Sequence, residues 1–372
     1  MHYYCSNCLL PKTKPYIQFD IYGKCSACIF HEKKNNLSTN KINWKKRKKE
    51  FKVLINKIKK IKAPYYDVCV PVSGGKDSIT QVSYLLKKNL RILAINIDYG
   101  IKTDIGHQNL ACISNMGANL ITHRPDLKLH KKILKISFLD FGDPDLMSHC
   151  MLHALPIRIA IELKIPMILL GENAALEYSG STSINEKKMS LKWFDNYASN
   201  NGMTPKKFAK IYRFPYEKLK MYDLPSTNDL KKIQPVFCSY FFKWNSEKNL
   251  KIAKKFGFRT LEKNAEGTYR NYVGIDEKIN RIHQYLKLLK FGYGRATDHA
   301  CEDIRNKKIS RKKGIQLVKK YENVRLSKYF INDFIKFINI DLKTFKRTLK
   351  KYTNKRIWSI NKKKLIKLHE IK

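Results

Sequence analysis

The chain has 372 residues, 43% of them hydrophobic, and carries 75 basic against 31 acidic side chains, a net charge of +44. That apolar content is ample for a core, and no stretch approaches the ~18 consecutive apolar residues of a membrane span, so no membrane segment is expected. The charge invites a nucleic-acid reading. Most of the basic residues are Lys, in a chain also heavy in Asn and Ile, and the codon bias of an AT-rich genome produces that excess without selection for phosphate contacts; nucleic-acid binding is not expected.

The opening MHYYCSNCLL has no basic region followed by an apolar run and does not read as a signal peptide. Of nine cysteines, four cluster and five are scattered, which suits a reducing cytoplasm better than a disulfide scaffold. Cys5-x-x-Cys8 and Cys25-x-x-Cys28 are separated by sixteen residues, the spacing of a four-thiolate zinc ribbon over 1–35. Four thiolates fill a tetrahedral Zn²⁺ shell, so the site is structural rather than open to water. So short a segment cannot bury enough surface to fold without the metal.

A Lys-rich segment, 36–62 as a linker, places Trp44, Phe51, Leu54, Ile55 and Ile58 at helical intervals and predicts an amphipathic helix with solvated lysines. From Pro64 the pattern is βαβα: strand 68–72, helix 78–88, strand 92–97, helix 104–116, strand 119–122 and helix 127–137. Strands alternating with helices predict an α/β doubly wound parallel sheet, assigned to 63–245. Ligands bind beyond the carboxyl ends of such strands.

The turn that matters follows the first strand. Ser73-Gly74-Gly75-Lys76-Asp77-Ser78 carries the chain through two glycines into a helix, presenting backbone N–H groups at the positive end of the helix dipole. That is a phosphate site, and a side chain in place of the glycines would hold the phosphate off the backbone. It is not the G-x-x-x-x-G-K-[ST] loop, because position 70 is Val and Asp77 follows the lysine.

Further on, Asn96 and Asp98 end the second strand at its ligand-binding edge, and Asp98 reads equally as a ligand contact or as the cap of a turn. His149-Cys150 and His153 precede a predicted helix over 152–163; a substrate contact or a core pair is preferred to a metal site or a Cys150 nucleophile. Strand 166–170 runs into Gly171-Glu172-Asn173 and Glu177. An aromatic-rich insertion, about 178–235, with Trp193, Tyr197, Tyr212, Phe214, Tyr216 and Tyr222, is expected to cover the acceptor. Residues 246–372 read as helices.

The SGGKDS string resembles the pyrophosphate loop of the N-type ATP pyrophosphatases, which grip the β,γ-phosphates and expose the α-phosphorus. The resemblance implies the adenine nucleotide alpha-hydrolase type of sheet, with ATP held by Val72, Ser73, Gly74, Gly75, Ser78, Asn96, Asp98, Gly171 and Glu172, and with Lys76 and Asp77 catalytic. It also implies Mg²⁺ on Asp77 and Glu177; because Glu172 stands where the family usually has Thr, which of Glu172 and Glu177 binds the ion stays open.

The ordered set is more specific. The ribbon with Gly23-Lys24-Cys25-Ser26-Ala27-Cys28, the loop, Asp98-Tyr99-Gly100, Gly171-Glu172-Asn173, Pro235-Val236-Phe237 and Lys290–Arg295 together resemble the N-acetyl sugar amidotransferase family (PseA/WbpG-like). The resemblance implies ATP-dependent conversion of an acetamido group on a nucleotide-activated sugar to acetamidino, with sugar contacts suspected at His153, Asp276, His283 and Arg295. No Gly-x-Cys-x-Gly elbow is present and residue 2 is His, so a separate glutaminase, similar to that of the imidazole glycerol phosphate synthase pair, is expected to supply ammonia. The alternative is a tRNA thiolase using the same adenylylation; a non-catalytic zinc-ribbon protein would leave the loop idle.

Overall fold

The computed structural model describes residues 3–35, 42–177, 187–197, 202–361 and 364–371; parts of the expected linker (36–41) and insertion (178–186 and 198–201) lie outside them. The ribbon leads through α1 (Ser26–Lys34) to α2 (Trp44–Ile61), which buries Phe51, Ile55 and Ile58 and leaves most of its lysines in solvent. Then come β1 (Val68–Pro71), α3 (Lys76–Leu86), β2 (Ile92–Ile97), α4 (Asp104–Asn115), β3 (Asn119–His123), α5 (Leu127–Phe141), α6 (Leu146–Glu162) and β4 (Met167–Leu170). Short helices α7 (Ala174–Glu177), α8 (Leu191–Tyr197), α9 (Pro205–Ile211), α10 (Tyr216–Leu219) and α11 (Thr227–Leu230) precede β5 (Gln234–Phe237).

The five strands form one parallel sheet in the order β3-β2-β1-β4-β5, with Val68 opposite Ile92 and Cys69 opposite Ile168. Side chains alternate between its faces with period two, and both faces are apolar because both are covered. Cys69, Leu93, Ile95 and Ile168 enter a core with α5, α6 and the α8–α10 segment; Val68, Val70, Ile92 and Leu169 enter another with α2, α3 and α4. The chain reverses direction between β1 and β4, so the crevice at their carboxyl ends is the topological switch point where α/β sheets bind ligands.

After α12 (Cys238–Phe241) and α13 (Ser246–Lys254), the C-terminal region contributes α14 (Ile279–Phe291), α15 (Arg295–Arg305), α16 (Arg311–Tyr321), α17 (Lys328–Ile338) and α18 (Leu342–Tyr352). A hairpin of β6 (Trp358–Asn361) and β7 (Lys364–Lys367) follows, against the expectation of helices throughout. Phe138 of α5 meets Phe334 edge-on and stacks with Phe345, tying α17 and α18 to the sheet domain. The ribbon shares its core with α15 and α16.

Two other expectations change. The helix placed at 152–163 begins at Leu146 and runs through Pro156, so His149, Cys150 and His153 all lie on α6. Within the described part of the insertion, Trp193 lines the larger of the two cavities described below, whereas Phe208 and Tyr222 are buried in the core on one sheet face with Tyr212, Phe214 and Tyr216 packed against it.

Candidate active site

The loop between β1 and α3 is a close fit. Gly74 has φ +87°, and a Cβ there would lie 2.7 Å from the Leu110 backbone nitrogen and 2.9 Å from its Cα, so the loop packs on α4 only if residue 74 is glycine. Gly75 caps α3 with no side-chain hydrogen bond, which leaves the first-turn N–H groups for a ligand. Ser73 Oγ accepts from Gly75 N at 3.2 Å, and Ser78 Oγ donates to Gly75 O at 2.9 Å. Lys76 is buried, its ammonium 2.5 Å from Asp77 Oδ2, while Asp77 Oδ1 accepts from Asn249 Nδ2 at 2.8 Å.

Two cavities open on this loop. One, of about 270 Å³, lies between the loop, α1 and α15; the other, of about 570 Å³, lies over the carboxyl ends of β1, β4 and β5, under α14 and the Lys14–Tyr16 turn of the ribbon. Ser73, Gly75, Asp77, Glu172, Asn280 and Arg295 line both. The predicted substrate residues converge here although they lie far apart in sequence. His153 and His283 line the larger cavity, Asp276 the smaller, and Arg295 both.

Val72, Ser78 and Gly171 line the larger cavity, in keeping with a nucleotide at the switch point. Asn96 and Asp98 line neither. Asn96 donates from Nδ2 to Val72 O at 2.7 Å; Asp98 accepts from Gly100 N at 2.8 Å and pairs with Arg124. Of the two readings of Asp98, this geometry is the turn cap, and the Arg124 charge and these hydrogen bonds outweigh burial to hold its carboxyl below the usual range.

The two glutamates also separate. Glu177 is ion-paired with Lys34 of α1 at 2.5 Å, both side chains nearly buried, and serves to fasten the ribbon helix to α7. Glu172 faces both cavities beside Asp77. Glu177 also lines the smaller cavity, so both glutamates border the loop, Glu172 without the Lys34 ion pair. Behind Asp77 and Glu172, burial raises the pKa of the Cys238 thiol and those two charges raise it further.

Sequence reasoning missed much of the larger cavity's wall. Lys14, Asp143, Lys287 and Lys290 all line it, beside His149, which the sequence already offers as a substrate contact. The available signal was the polar stripe Asn280, His283, Gln284, Lys287, Lys290, spaced at three and four residues along α14. His283 Nδ1 lies 2.8 Å from Asp143 Oδ1, and its ring is 5.6 Å from that of His149. Lys287 pairs with Asp298, and Lys290 Nζ donates to Phe141 O at 3.0 Å. Burial pulls Lys14 down to about 8 and His153 down to about 3.

The four ribbon cysteines bring their sulfurs within 4.8 Å of one another, and all four are buried. Cys5 Sγ accepts from the backbone nitrogens of Cys8 at 3.4 Å and Cys25 at 3.2 Å, bonds that suit a thiolate. The donor set fits Zn²⁺ in a closed shell. Among the described residues no other group of three or more His, Cys, Asp or Glu side chains has metal-holding geometry.

A glycine-rich strand–turn–helix at the switch point of a parallel five-stranded sheet, joined to a four-cysteine ribbon, defines a doubly wound α/β protein with a phosphate-type turn at its ligand crevice. Residues 266–371 match the family model described as LPS biosynthesis protein WbpG-like, C-terminal domain. No curated protein matches the chain. Among solved structures, the NAD⁺ synthetase of Burkholderia pseudomallei is similar at 14% identity with a TM-score of 0.28, over 64% of this chain and 96% of that one. Among the described residues no helix is long and apolar enough to cross a membrane.

Proposed function

We propose that this protein is an ATP-dependent, AMP-forming amidotransferase that converts the acetamido group of a nucleotide-activated N-acetyl sugar to acetamidino. The observation that carries the reading is that the Ser73–Ser78 loop and the WbpG-like domain wall one cavity: α14 and Arg295 stand over the glycines that would hold ATP.

An amide carbonyl is a poor electrophile, which sets the order of steps. The acetamido oxygen attacks the ATP α-phosphorus, an O–P bond forms, the bond to the β-phosphate's bridging oxygen breaks and PPi leaves. Ammonia adds to the imidate carbon, and AMP departs with the C–O electron pair, leaving the amidine. In this chain the α3 N–H groups and Lys76 stabilise the charge that develops on the phosphates. Asp77 and Glu172 would hold Mg²⁺, which supplies further neutralisation of phosphate charge. Lys14, Lys287, Lys290 and Arg295 suit the larger cavity to a second anionic substrate, as a nucleotide-activated sugar is. The thiolate cluster would hold Zn²⁺ as a structural clamp.

All nine cysteines are buried, and none is placed as a glutaminase nucleophile or as an accessible persulfide carrier. Ammonia therefore comes from a separate glutaminase in this reading. The test is ATP turnover with an ammonium salt, a panel of CMP- and UDP-linked N-acetyl sugars and, in parallel, bulk tRNA. AMP, PPi and a sugar product about one mass unit lighter, NH in place of O, are expected. AMP formed only with tRNA would replace the reading by a thiolase, and ADP would remove both.

A further inference from the structure

Ammonia addition requires a proton acceptor. When NH₃ adds to the imidate carbon it becomes a C–NH₃⁺ group, which leaves as readily as it came. Only after losing one proton can its nitrogen donate a lone pair, form the C=N bond and expel AMP. The second cavity contains one arrangement built for that step. His283 projects from α14 into the cavity that also receives Ser73, Gly75 and Asp77. Its Nδ1 is 2.8 Å from Asp143 Oδ1, and Asp143 is itself fixed by a 3.1 Å hydrogen bond from Asp145 N. The carboxylate orients the ring with Nδ1–H donating, so Nε2 is the nitrogen with an available lone pair. This is the nucleophile-side half of a carboxylate–imidazole pair.

Resting on the amidotransferase reading above, we propose that His283 is the general base of the ammonia step, with Asp143 as its positioning residue. His283 Nε2 takes one proton from the C–NH₃⁺ group of the tetrahedral adduct. The freed lone pair forms the C=NH₂⁺ bond, the C–O bond breaks, AMP leaves with its pair, and the imidazolium returns its proton to solvent.

The surroundings support a base that works near neutrality. Burial draws the His283 pKa down, but the charge and hydrogen bond of Asp143, with Asp145 beyond it, outweigh this and the net shift is upward. Lys287 on the same helix opposes them, and His149 of α6 packs against the ring. Of the other two imidazoles in this cavity, His153 lies edge-on to Trp193 at 5.2 Å with its pKa drawn down to about 3 by burial, and His149 engages the Asp145 carbonyl through Nδ1 at 3.1 Å; among the described residues neither is hydrogen-bonded to a carboxylate.

The experiment separates the two half-reactions. Adenylylation alone is read by sugar-dependent exchange of labelled pyrophosphate into ATP without ammonia; the whole reaction is read by amidine formation with ammonium chloride. The full-length protein is used with whichever CMP- or UDP-linked N-acetyl sugar the panel identifies. His283→Gln is expected to lower amidine formation at least ~100-fold more than it lowers exchange, the scale of general base catalysis. In Asp143→Asn, with free NH₃ held constant across the series, the acidic limb of the turnover–pH profile is expected to move to lower pH, because the group that raises the His283 pKa is gone. Equal loss of both half-reactions in His283→Gln, or an unmoved limb in Asp143→Asn, would overturn the assignment while leaving the amidotransferase intact. No sugar-dependent exchange in the unaltered protein would refute the amidotransferase reading itself, and the base with it.

Discussion

Gly74→Ala and Gly75→Ala differ by one residue, yet the structure gives them opposite consequences. At Gly74 the backbone sits at φ +87°, where an L side chain costs about 1–2 kcal/mol. The new methyl would also stand 2.7 Å from the Leu110 nitrogen, a backbone atom of α4 that cannot swing aside. Moving α4 or the loop adds overpacking strain of about 1–3 kcal/mol, for a total of about 2–5 kcal/mol. At Gly75 the φ is −67° and the nearest atom to a new Cβ is Ser73 Oγ at 3.2 Å, a side chain that can rotate. Gly75→Ala should therefore unfold within about 0.5 kcal/mol of the parent, while its methyl, at the mouth of the N–H cradle, raises the concentration of ATP needed for pyrophosphate exchange about tenfold or more. Urea denaturation gives the first quantity and exchange kinetics the second. A Gly74→Ala protein as stable as the parent would refute the packing argument. A Gly75→Ala protein with unchanged ATP dependence would refute the loop as the phosphate site.

Three further outcomes follow from features away from the loop. Glu177→Gln strips the charge from one member of the nearly buried Lys34 pair, and should cost about 3–5 kcal/mol in denaturant; the folded variant should keep its magnesium dependence, whereas Glu172→Gln should weaken it. Removing metal with a chelator, or replacing Cys25 by Ser, should lower the melting temperature and expose thiols to titration; an unchanged melt would argue against a structural Zn²⁺ in the ribbon. Burial raises the Glu277 pKa to about 8 against an ordinary 4.5, with Lys102 opposing. A raised acid favours folding when protonated, so this contribution is full below about pH 4.5 and lost as pH rises to about 8. Glu277→Gln should flatten stability over that window, measured by urea titration at several pH values.

The parts of the site that are contiguous in sequence were readable from it. Strand, two glycines and helix lie within one stretch of chain, and the four cysteines announce their geometry by spacing alone. What could not be read is set by distant partners. Lys34 and Glu177 are 143 positions apart, and nothing local in GENAALE distinguishes a metal ligand from half of an ion pair. Asp98 stood between two roles until Arg124 was seen beside it. The aromatics of the insertion suggested a lid because composition does not say which face of a sheet a segment covers. A wall over the loop comes from α14, whose His283 the sequence offers as a sugar contact but whose partner Asp143 lies 140 positions earlier and is set by the fold alone. Gln234–Phe237 was quoted as a signature but not as a strand, since four residues with a proline carry little periodicity; only its pairing with β4 makes it one.

The seat of the ribbon has a consequence for how the chain is made. Leu9 N donates to Cys301 Sγ at 3.2 Å, and Arg305 Nη1 reaches Cys8 Sγ at 3.9 Å, contacts spanning 292 and 297 positions. The ribbon therefore docks against a segment translated 292 positions after it. At a synthesis rate of about 5–20 residues per second, the knuckles wait on the order of 15–60 seconds before α15 exists. During that interval metal capture alone can shield four thiols from oxidation. Early zinc loading would thus serve as a placeholder for a partner not yet translated, and the closing of the ribbon onto α15 is a late folding event that a nascent chain ending before α15 cannot complete.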